Sequence, residues 1–208
     1  MEKGKLIIIS GFSGVGKGTV VKYIMDNYPN YKLSISATTR QPRTGEVDGV
    51  HYHFVDDAKM ESMIKNDELL EYAGYVNHYY GTPKAFVDEN IEQGNNVILE
   101  IESVGARKVK EKMKDALMVF VLPPSAAELK NRLVGRQTEE ASVIKKRVQK
   151  AKEETDAMSA YEYFVINDTV EACAKNINSI VTNTNPSLLS EDKVLEIKND
   201  ILNFKEDE

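Results

Sequence analysis

The chain has 208 residues, of which 41% are apolar and 29% charged, and it carries a net charge of −6. This length can bury one sizeable core, whereas the acidic balance argues against an extended nucleic-acid surface and no apolar stretch approaches membrane-spanning length. Because Cys173 is the single cysteine, no intramolecular disulfide can form, and we expect a cytoplasmic protein without nucleic-acid or membrane partners.

The first elements along the chain form a phosphate-binding pattern. A short aliphatic strand at residues 6–10 leads into a glycine-rich turn with the spacing G-x-x-x-x-G-K and then into a helix expected at residues 17–28. Glycines let several backbone N–H groups point into one concavity, and the helix dipole adds positive potential there. The strand before and the helix after argue against a chance glycine-rich turn. The residues expected to hold nucleotide phosphates are Gly11, Ser13, Gly14, Val15, Gly16, Lys17, Gly18 and Thr19.

One position of this turn departs from the usual pattern. Gly18 stands where a hydroxyl residue normally follows the lysine, so Thr19 is the nearest hydroxyl for a magnesium ion. Phe12 stands where proline is frequent, which should change the stiffness of the turn but leave its N–H groups in place.

The next segment changes character and predicts a small mixed lobe at about residues 35–82. Alternation at residues 32–38 predicts a strand with one wet face, and residues 50–55 are also strand-like. Asp56 or Asp57 can cap a short helix that carries Met60 and Met63. Residues 71–80 are rich in aromatic and β-forming side chains.

A regular α/β pattern then resumes. Thr82 can cap a helix with Pro83 at its first position, and buried strands are predicted at residues 97–101, 117–122 and 163–166. Between the last two strands, Ser125 and Glu128 form a capping box that opens a polar helical stretch. We expect this stretch, residues 125–156, to be a mobile helical hairpin rather than core. A helix at residues 170–181 and a helical tail at residues 188–204 complete the chain.

Alternating buried strands and helices predict a parallel sheet with helices on both faces and ligands beyond the carboxyl ends of the strands. A second anion site is indicated by Arg40 and Arg43, because arginine forks bind phosphate in a bidentate manner. An isolated carboxylate, Glu71, stands between apolar neighbours further on. Taken alone, these arginines are equally consistent with a solvated loop.

Seven motifs in order make the chain resemble the guanylate kinase family over about residues 4–182. They are the phosphate-binding turn at residues 10–19, the segment at residues 34–54 that contains Arg40 and Arg43, and shorter stretches at residues 71–73, 79–82, 99–102 and 132–136. Residues 165–168, Val-Ile-Asn-Asp, complete the set. The segment around Arg40 and Arg43 is more specific than the phosphate-binding turn, which many nucleotide-binding proteins share.

The resemblance implies a P-loop nucleoside-monophosphate-kinase fold with a five-stranded parallel sheet. It further implies one domain, made of a core at residues 4–34, 83–124 and 157–182, a GMP-binding lobe at residues 35–82, a lid at residues 125–156 and a C-terminal helical extension at residues 183–208. The implied reaction is magnesium-dependent phosphoryl transfer from ATP to GMP and dGMP, giving ADP and GDP, in purine nucleotide metabolism and GMP recycling.

The resemblance also assigns the GMP side of the reaction. The residues implied to hold the GMP phosphate are Arg40, Arg43, Tyr52 and Tyr80. Glu71 and Glu102 would accept hydrogen bonds from the guanine N1–H and amino groups, while Ser36 and Thr82 would donate toward O6. Adenine presents an acceptor at N1, which would face a carboxylate, so the site would favour guanine.

On the ATP side, the resemblance implies that Asn167 joins the turn as a nucleotide-binding residue and that Lys17 serves catalysis as well as binding. Glu100 would help to position Mg²⁺ through water, with Thr19 as the other ligand. The arginines implied to approach the transferring group from the lid are Arg132, Arg136 and Arg147. The attacking group is a GMP phosphate oxygen, so no serine, histidine or cysteine nucleophile is needed.

Two other functions remain as alternatives. A scaffold domain of the same fold would typically lack a working phosphate-binding turn, whereas Lys17 and its glycines are present here. A kinase for another nucleoside monophosphate is disfavoured by Glu71 with Ser36.

The sequence departs from the family pattern after Glu102, where Ser103 and Val104 replace a more usual apolar-glutamine pair. A metal site at His51 and His53 is not expected, because too few other ligands accompany them. The protein is expected to be a monomer or a homodimer.

Overall fold

The computed structural model describes residues 2–75, 77–134 and 141–204. The strands are β1 Leu6–Gly11, β2 Tyr31–Leu33, β3 Ala37–Thr38, β4 His53–Phe54, β5 Leu69–Tyr75, β6 His78–Pro83, β7 Asn96–Glu100, β8 Leu117–Leu122 and β9 Tyr163–Ile166. The helices are α1 Lys17–Asn27, α2 Asp57–Lys65, α3 Lys84–Glu92, α4 Ser103–Lys112, α5 Ala126–Val134, α6 Ala141–Glu154, α7 Val170–Thr182 and α8 Glu191–Asn203, with a 3₁₀ helix at Thr155–Ala160.

Two sheets organise these elements. Five strands form a parallel sheet in the order β2-β7-β1-β8-β9, with Tyr31 opposite Asn96 and Leu122 opposite Ile166. Four strands form a mixed sheet in the order β4-β3-β6-β5, in which β3 runs parallel to β4 and antiparallel to β6. The expected α/β fold with a five-stranded parallel sheet is therefore confirmed.

The chain divides into two compact units, and the first consists of Met1–Ile8 and Pro29–Ala116. It contains the whole mixed sheet together with α2, α3 and α4. A cluster of buried side chains, Ala37, Met60, Met63 and Leu69, joins α2 to that sheet. Asp56 begins α2 as expected, because its Oδ1 accepts a hydrogen bond from the Lys59 N–H at 2.7 Å.

The second unit consists of Ile9–Tyr28 and Leu117–Glu208. Its core is built around Phe120 of β8, whose ring meets the edges of Phe12 and Tyr161 at centroid distances of 5.1 and 5.0 Å. Helices α1 and α7 pack together, and Cys173 of α7 is buried, as the sequence predicts. Burial raises the pKa of this thiol to about 12, so it stays neutral and unreactive.

Two predicted strands differ from the observed ones. The alternating segment at residues 32–38 splits, because Ser34 N–H still pairs with Ile98 O in the parallel sheet while Ala37 pairs with Gly81 in the mixed sheet. The strand expected at residues 50–55 shortens to β4, and Val50 lies exposed in a turn closed by its N–H bond to Val47 O. Periodicity cannot reveal such a change of partner.

The start of α3 also differs from the prediction. Thr82 belongs to β6, and its hydroxyl donates to Glu71 Oε1 at 2.9 Å instead of capping the helix. Pro83 is the residue that precedes the helix, with no side-chain cap. The expected capping box at α5 is half formed: Ser125 Oγ accepts from the Glu128 N–H, but the Glu128 carboxylate accepts from Arg132 Nε.

The prediction that residues 125–156 lie outside the core is wrong for part of this stretch, because several apolar residues of α5 and α6 are buried, although Val134 is exposed. Leu129, Leu133 and Val148 are all buried, and so is Ala151 of α6. Helix α8 covers part of this pair through Ile197 and Ile201, which are buried as well. None of the helices in the ranges listed above is both long and apolar enough to cross a bilayer.

Candidate active site

In the second unit, the turn between β1 and α1 forms the predicted phosphate loop, residues 11–19. Its curl is closed by a hydrogen bond from Val15 N–H to Phe12 O at 3.1 Å. Gly16 precedes α1 with φ +94°, a left-handed conformation that other residues adopt only with strain. The Phe12 side chain is fully buried, so this unusual residue anchors the loop in the core.

Lys17 closes over the same loop. Its Nζ donates to Gly11 O at 2.6 Å and to Phe12 O at 3.1 Å. The ammonium group is thereby held on the turn that the sequence assigns to nucleotide phosphates. Gly18 and Thr19 follow in the first turn of α1, and both are exposed, so the Thr19 hydroxyl is accessible as an oxygen ligand.

Asn167 and Arg132 brace the loop through its backbone. Asn167 is only 3% exposed, and its Nδ2 donates to Val15 O at 2.8 Å. Arg132 donates from Nη1 to Val15 O at 3.3 Å and to Asn167 O at 2.8 Å. In this structure, both residues therefore contact the backbone of the loop or its neighbours, and the direct contacts with the nucleotide that the sequence assigns to them stay predictions.

An acidic residue that the sequence reading missed also contacts the loop. Glu154, the last residue of α6, accepts a hydrogen bond on Oε2 from the Ser13 N–H at 2.9 Å. Nothing in the local sequence distinguishes this carboxylate from its neighbour Glu153. Of the remaining expected lid arginines, Arg147 lies half-buried on α6, and Arg136 lies outside the described residues.

In the first unit, a cavity of about 450 Å³ gathers the residues that the sequence assigned to GMP. We call it the acceptor cavity. Its lining consists of Ser36, Arg40, Arg43, Glu46, Tyr52, Glu71, Ala73, Gly74, Tyr80, Glu100, Ile101, Glu102, Val104 and Gly105. Of the predicted GMP residues, Thr82 alone is absent from this lining, because its hydroxyl is directed to Glu71.

Arg40 is the centre of the cationic part of the cavity. Its guanidinium lies over the ring of Tyr52 at 5.3 Å and is hydrogen-bonded to Tyr80. Burial raises the pKa of Tyr52, so both its hydroxyl proton and its donor capacity are retained at neutral pH. This arrangement of one fork and two phenols is suited to a phosphate group.

Glu46 is a second residue that the sequence reading did not single out. Its two oxygens accept from Arg40 Nη1 and Nη2, each at 2.9 Å, and Oε2 also accepts from the Arg43 N–H at 2.7 Å. Hydrogen bonding to Arg40, reinforced by the Arg43 N–H, lowers the pKa of Glu46 to about 2 and raises that of Arg40. The position of an acid three residues after Arg43 is the signal that could have revealed it.

Glu71 supplies the buried acid of the cavity. It is 7% exposed, and burial raises its pKa above the ordinary value, while the Thr82 hydroxyl, Lys108 and Lys112 oppose that rise. Gly105 makes room for it, because a Cβ at this position would lie 2.9 Å from Glu71 Oε2. The glycine after Ser103 and Val104 is thus a steric requirement of the acid, which the sequence reading missed.

The other expected residues reach the cavity from strand ends. Ser36 follows β2 and accepts from His53 N–H on its carbonyl oxygen, at 2.9 Å. Glu100 ends β7 and Glu102 precedes α4, both exposed and both in the cavity lining. His51 Nδ1 accepts from the Val47 N–H, and the described part of the chain contains no cluster of three or more possible metal-ligating side chains.

Comparison with known proteins agrees with this geometry. The family model described as guanylate kinase matches residues 3–184. A guanylate kinase of Clostridioides difficile is 47% identical over 208 residues, which cover 100% of this chain and 98% of the relative. A guanylate kinase of Halalkalibacterium halodurans is 51% identical over 181 residues, 87% of this chain and 89% of the relative.

A solved structure adds evidence on the fold. The crystal structure of guanylate kinase from Anaplasma phagocytophilum matches with a TM-score of 0.70 and 28% identity, covering 94% of this chain and 95% of that one. The family model, the relatives and the solved structure thus point the same way as the phosphate loop and the acceptor cavity. The chain belongs to the guanylate kinase family.

Proposed function

We propose that this chain catalyses transfer of the γ-phosphoryl group of ATP to GMP, giving ADP and GDP. The observation that carries the proposal is the acceptor cavity, which combines the cationic group around Arg40 with the buried acid Glu71. A nucleoside monophosphate offers matching features, a dianionic phosphate and a hydrogen-bonding base. Family membership supports the same reaction.

Guanine is recognised by its donors. Glu71 accepts from N1–H and Glu102 from the exocyclic amine, while Ser36 donates toward O6. Thr82 is better suited to a supporting role, because its hydroxyl proton is directed at Glu71 and stabilises the ionised carboxylate. Adenine has no N1–H, so it would leave the buried carboxylate without a donor, which is a strong basis for rejection.

The GMP phosphate is held by Arg40, Arg43, Tyr52 and Tyr80. Glu46 fixes the orientation of the Arg40 guanidinium through bonds to both of its Nη atoms. The proposal includes dGMP as a second acceptor.

ATP is held in the second unit by the N–H groups of the phosphate loop and by Lys17. Lys17 exchanges its contacts with Gly11 O and Phe12 O for phosphoryl oxygens. Arg147 of α6, with Arg132, supplies further positive charge for the transferring group, and Arg136 is proposed for the same role from outside the described residues. Asn167 acts by holding Val15 in place.

The reaction needs positioning and charge neutralisation rather than a protein nucleophile. A phosphate oxygen of GMP forms the new bond to the γ-phosphorus of ATP, and the bond from that phosphorus to the β–γ bridging oxygen breaks. The attacking phosphate is largely ionised at neutral pH, because its second pKa is about 6. The reaction therefore requires no histidine, and none is among the described residues that line the cavity.

Magnesium is the proposed cofactor. Thr19 and Glu100 present exposed hydroxyl and carboxylate oxygens, the hard donors that Mg²⁺ prefers. When bound, the ion neutralises phosphoryl charge and orients the ATP phosphates. In the proposed setting the protein acts in the cytoplasm, as a monomer or homodimer, in GMP recycling, with ATP and GMP as its partners.

The proposal is tested by following the phosphorus atoms directly. Phosphorus NMR of the protein with ATP, GMP and Mg²⁺ should show the ADP and GDP signals growing together, and no growth when GMP or Mg²⁺ is omitted. Hydrolysis of ATP to inorganic phosphate without GDP, or no reaction at all, would contradict the proposal. Binding of GMP without any reaction would favour a scaffold function for the same fold.

A further inference from the structure

The phosphate loop is contacted by a carboxylate that the reaction described above does not use. Glu154 Oε2 accepts from the Ser13 N–H at 2.9 Å, across 141 positions of sequence. A carboxylate beside a site for nucleotide phosphates is unfavourable by charge alone. A structural role for Glu154 would offset this electrostatic cost, and the geometry of α6 supports such a role.

The end of α6 that carries Glu154 is firmly anchored in the second unit. Thr155 is fully buried, and its hydroxyl donates to Lys152 O at 2.6 Å. Ala151 is buried one turn earlier, and Lys152 Nζ donates to Phe204 O at 2.8 Å. Glu154 therefore projects from a fixed backbone, and its hydrogen bond transmits that position to the loop.

Arg147 stands on the same face of α6 as Glu154. The two residues are seven positions apart, which is two helical turns and about 10.5 Å along the axis. Fixing the Glu154 end on Ser13 thus also fixes the axial position of Arg147 relative to the loop. A hydrogen bond to a charged acceptor is stronger than one between neutral groups, so this bond is suited to holding the helix and the loop in a fixed relative position.

We propose that Glu154 is a positioning residue for phosphoryl transfer: its carboxylate holds the Ser13 N–H and so sets the loop and Arg147 in register for ATP. The Ser13 N–H is then a structural contact, and the remaining N–H groups of the loop serve the phosphates. This inference rests on the proposed function for its kinetic consequences, although its effect on nucleotide binding does not.

The variants separate hydrogen bonding from charge. Glu154→Ala removes both the acceptor and the charge, Glu154→Gln keeps an acceptor oxygen at the same reach, and Glu154→Asp keeps the charge on a shorter side chain. Glu153→Ala is the matched control, because Glu153 is the exposed neighbour on the same helix and its Oε1 contacts only the Gln149 amide among the bonds described.

The measurements are kcat, the KM values for ATP and GMP, and the Kd of ADP by calorimetry. Glu154→Ala should raise the ADP Kd and the ATP KM about tenfold, the order expected for loss of a hydrogen bond to a charged group. Its kcat should also fall, while the KM for GMP stays within about twofold because the acceptor cavity belongs to the other unit. Glu153→Ala should stay close to the unmodified protein, Glu154→Gln should recover most of the loss through its neutral acceptor, and Glu154→Asp should follow Glu154→Ala.

Three results would overturn the proposal. If Glu154→Ala matches Glu153→Ala in every constant, the contact has no role. Tighter ADP binding in both the alanine and the glutamine variants would identify the carboxylate as a competing anion instead. Equal losses for ATP and GMP, without rescue by glutamine, would indicate a general loss of structure.

Two features keep the test decisive. If Glu154→Ala does not fold, the comparison of Glu154→Asp with Glu154→Gln still separates acceptor reach from charge. Calorimetry with ADP requires no turnover, so a protein without phosphotransfer would contradict the proposed function but leave the Glu154 comparison intact.

Discussion

Burial of the Glu71 carboxylate links recognition of the base to pH. Its pKa lies above the ordinary value of 4.5, chiefly because burial disfavours the charged form. Glu71 therefore takes up a proton at a higher pH in the folded protein than in the unfolded chain. As the pH falls through this raised pKa, the acceptor for guanine N1–H is lost, while the cost of burying a charge is relieved.

The expected consequence is a GMP affinity that falls between pH 7.5 and pH 4.5 more steeply in the unmodified protein than in Glu71→Gln. The GMP phosphate also titrates in this range, with a second pKa of about 6, and that part remains in the variant. Calorimetric Kd values at the two pH values measure both slopes. Equal slopes would mean that Glu71 does not titrate in the recognition of the base.

Lys17 contributes on the other side of the reaction. Lys17→Ala should lower kcat by at least about 100-fold, the range seen when a single group that stabilises developing negative charge is removed. The Kd of GMP should remain nearly unchanged, because the acceptor cavity lies in the other unit. Steady-state kinetics with GMP calorimetry measures the two effects, and a near-normal kcat would refute the role given to Lys17.

Individual residues differ in how far the sequence could reveal them. Arg40, Arg43 and Lys17 stand in short motifs whose residue types and spacing indicate phosphate binding. Glu46 and Glu154 act through partners that only folding brings close, the latter across 141 positions. Thr82 was identified as a polar group of the site, but its direction toward Glu71 depends on the pairing of β5 with β6.

At the scale of elements, the phosphate loop depends on its glycines. Gly16 has φ +94°, and a Cβ there would lie 2.8 Å from Asn167 Nδ2, the atom that holds Val15 O. Gly45 has a similar φ of +87° but open space around its Cβ position. Substitutions at Gly16 and Gly45 therefore separate the cost of a strained backbone from the cost of displacing the Asn167 side chain.

Gly45→Ala should cost about 1–2 kcal/mol of unfolding free energy, the strain of a left-handed residue, and leave ADP binding unchanged. Gly16→Ala should cost more than this and should weaken ADP binding as well. Denaturant unfolding and ADP calorimetry on both variants provide the comparison. Equal stability losses with normal ADP binding in both would show that the Asn167 contact has no part in shaping the loop.

Regular elements were predictable where burial is continuous. Strands β8 and β9 match the sequence prediction because they are short aliphatic or aromatic runs with clear ends. The sequence predicted one strand at residues 32–38 where the structure has two. The alternation of side chains continues through the segment, although its hydrogen-bonding partners change from one sheet to the other. The burial of α5 and α6 was missed because their apolar residues are few, yet Leu129, Leu133 and Val148 are buried.

At the scale of the molecule, the chain extends beyond the family match. The family model ends at residue 184, whereas the relative from Clostridioides difficile aligns over the full 208 residues. Helix α8 lies in this extension and is tied to α5, because Asp200 Oδ2 accepts from the Ala126 N–H at 2.7 Å. This carboxylate caps the start of α5 from a distant part of the sequence.

Asp200→Ala should therefore lower the unfolding free energy by about 1 kcal/mol, the typical worth of a helix cap. Asp200→Asn keeps an acceptor and should lose less, and Asn199→Ala, an exposed neighbour, should be nearly neutral. Urea unfolding of the three variants gives the values. If Asp200→Ala is as stable as Asn199→Ala, the extension does not stabilise α5 through this contact.

The acceptor specificity is the most direct test of the whole account. Formation of ADP should be measured with ATP, Mg²⁺ and saturating series of GMP, dGMP, AMP, CMP and UMP. We expect kcat/KM for GMP to exceed that for AMP by a factor on the order of 10⁴, because adenine leaves Glu71 without a donor. Turnover with AMP equal to or better than turnover with GMP would contradict it.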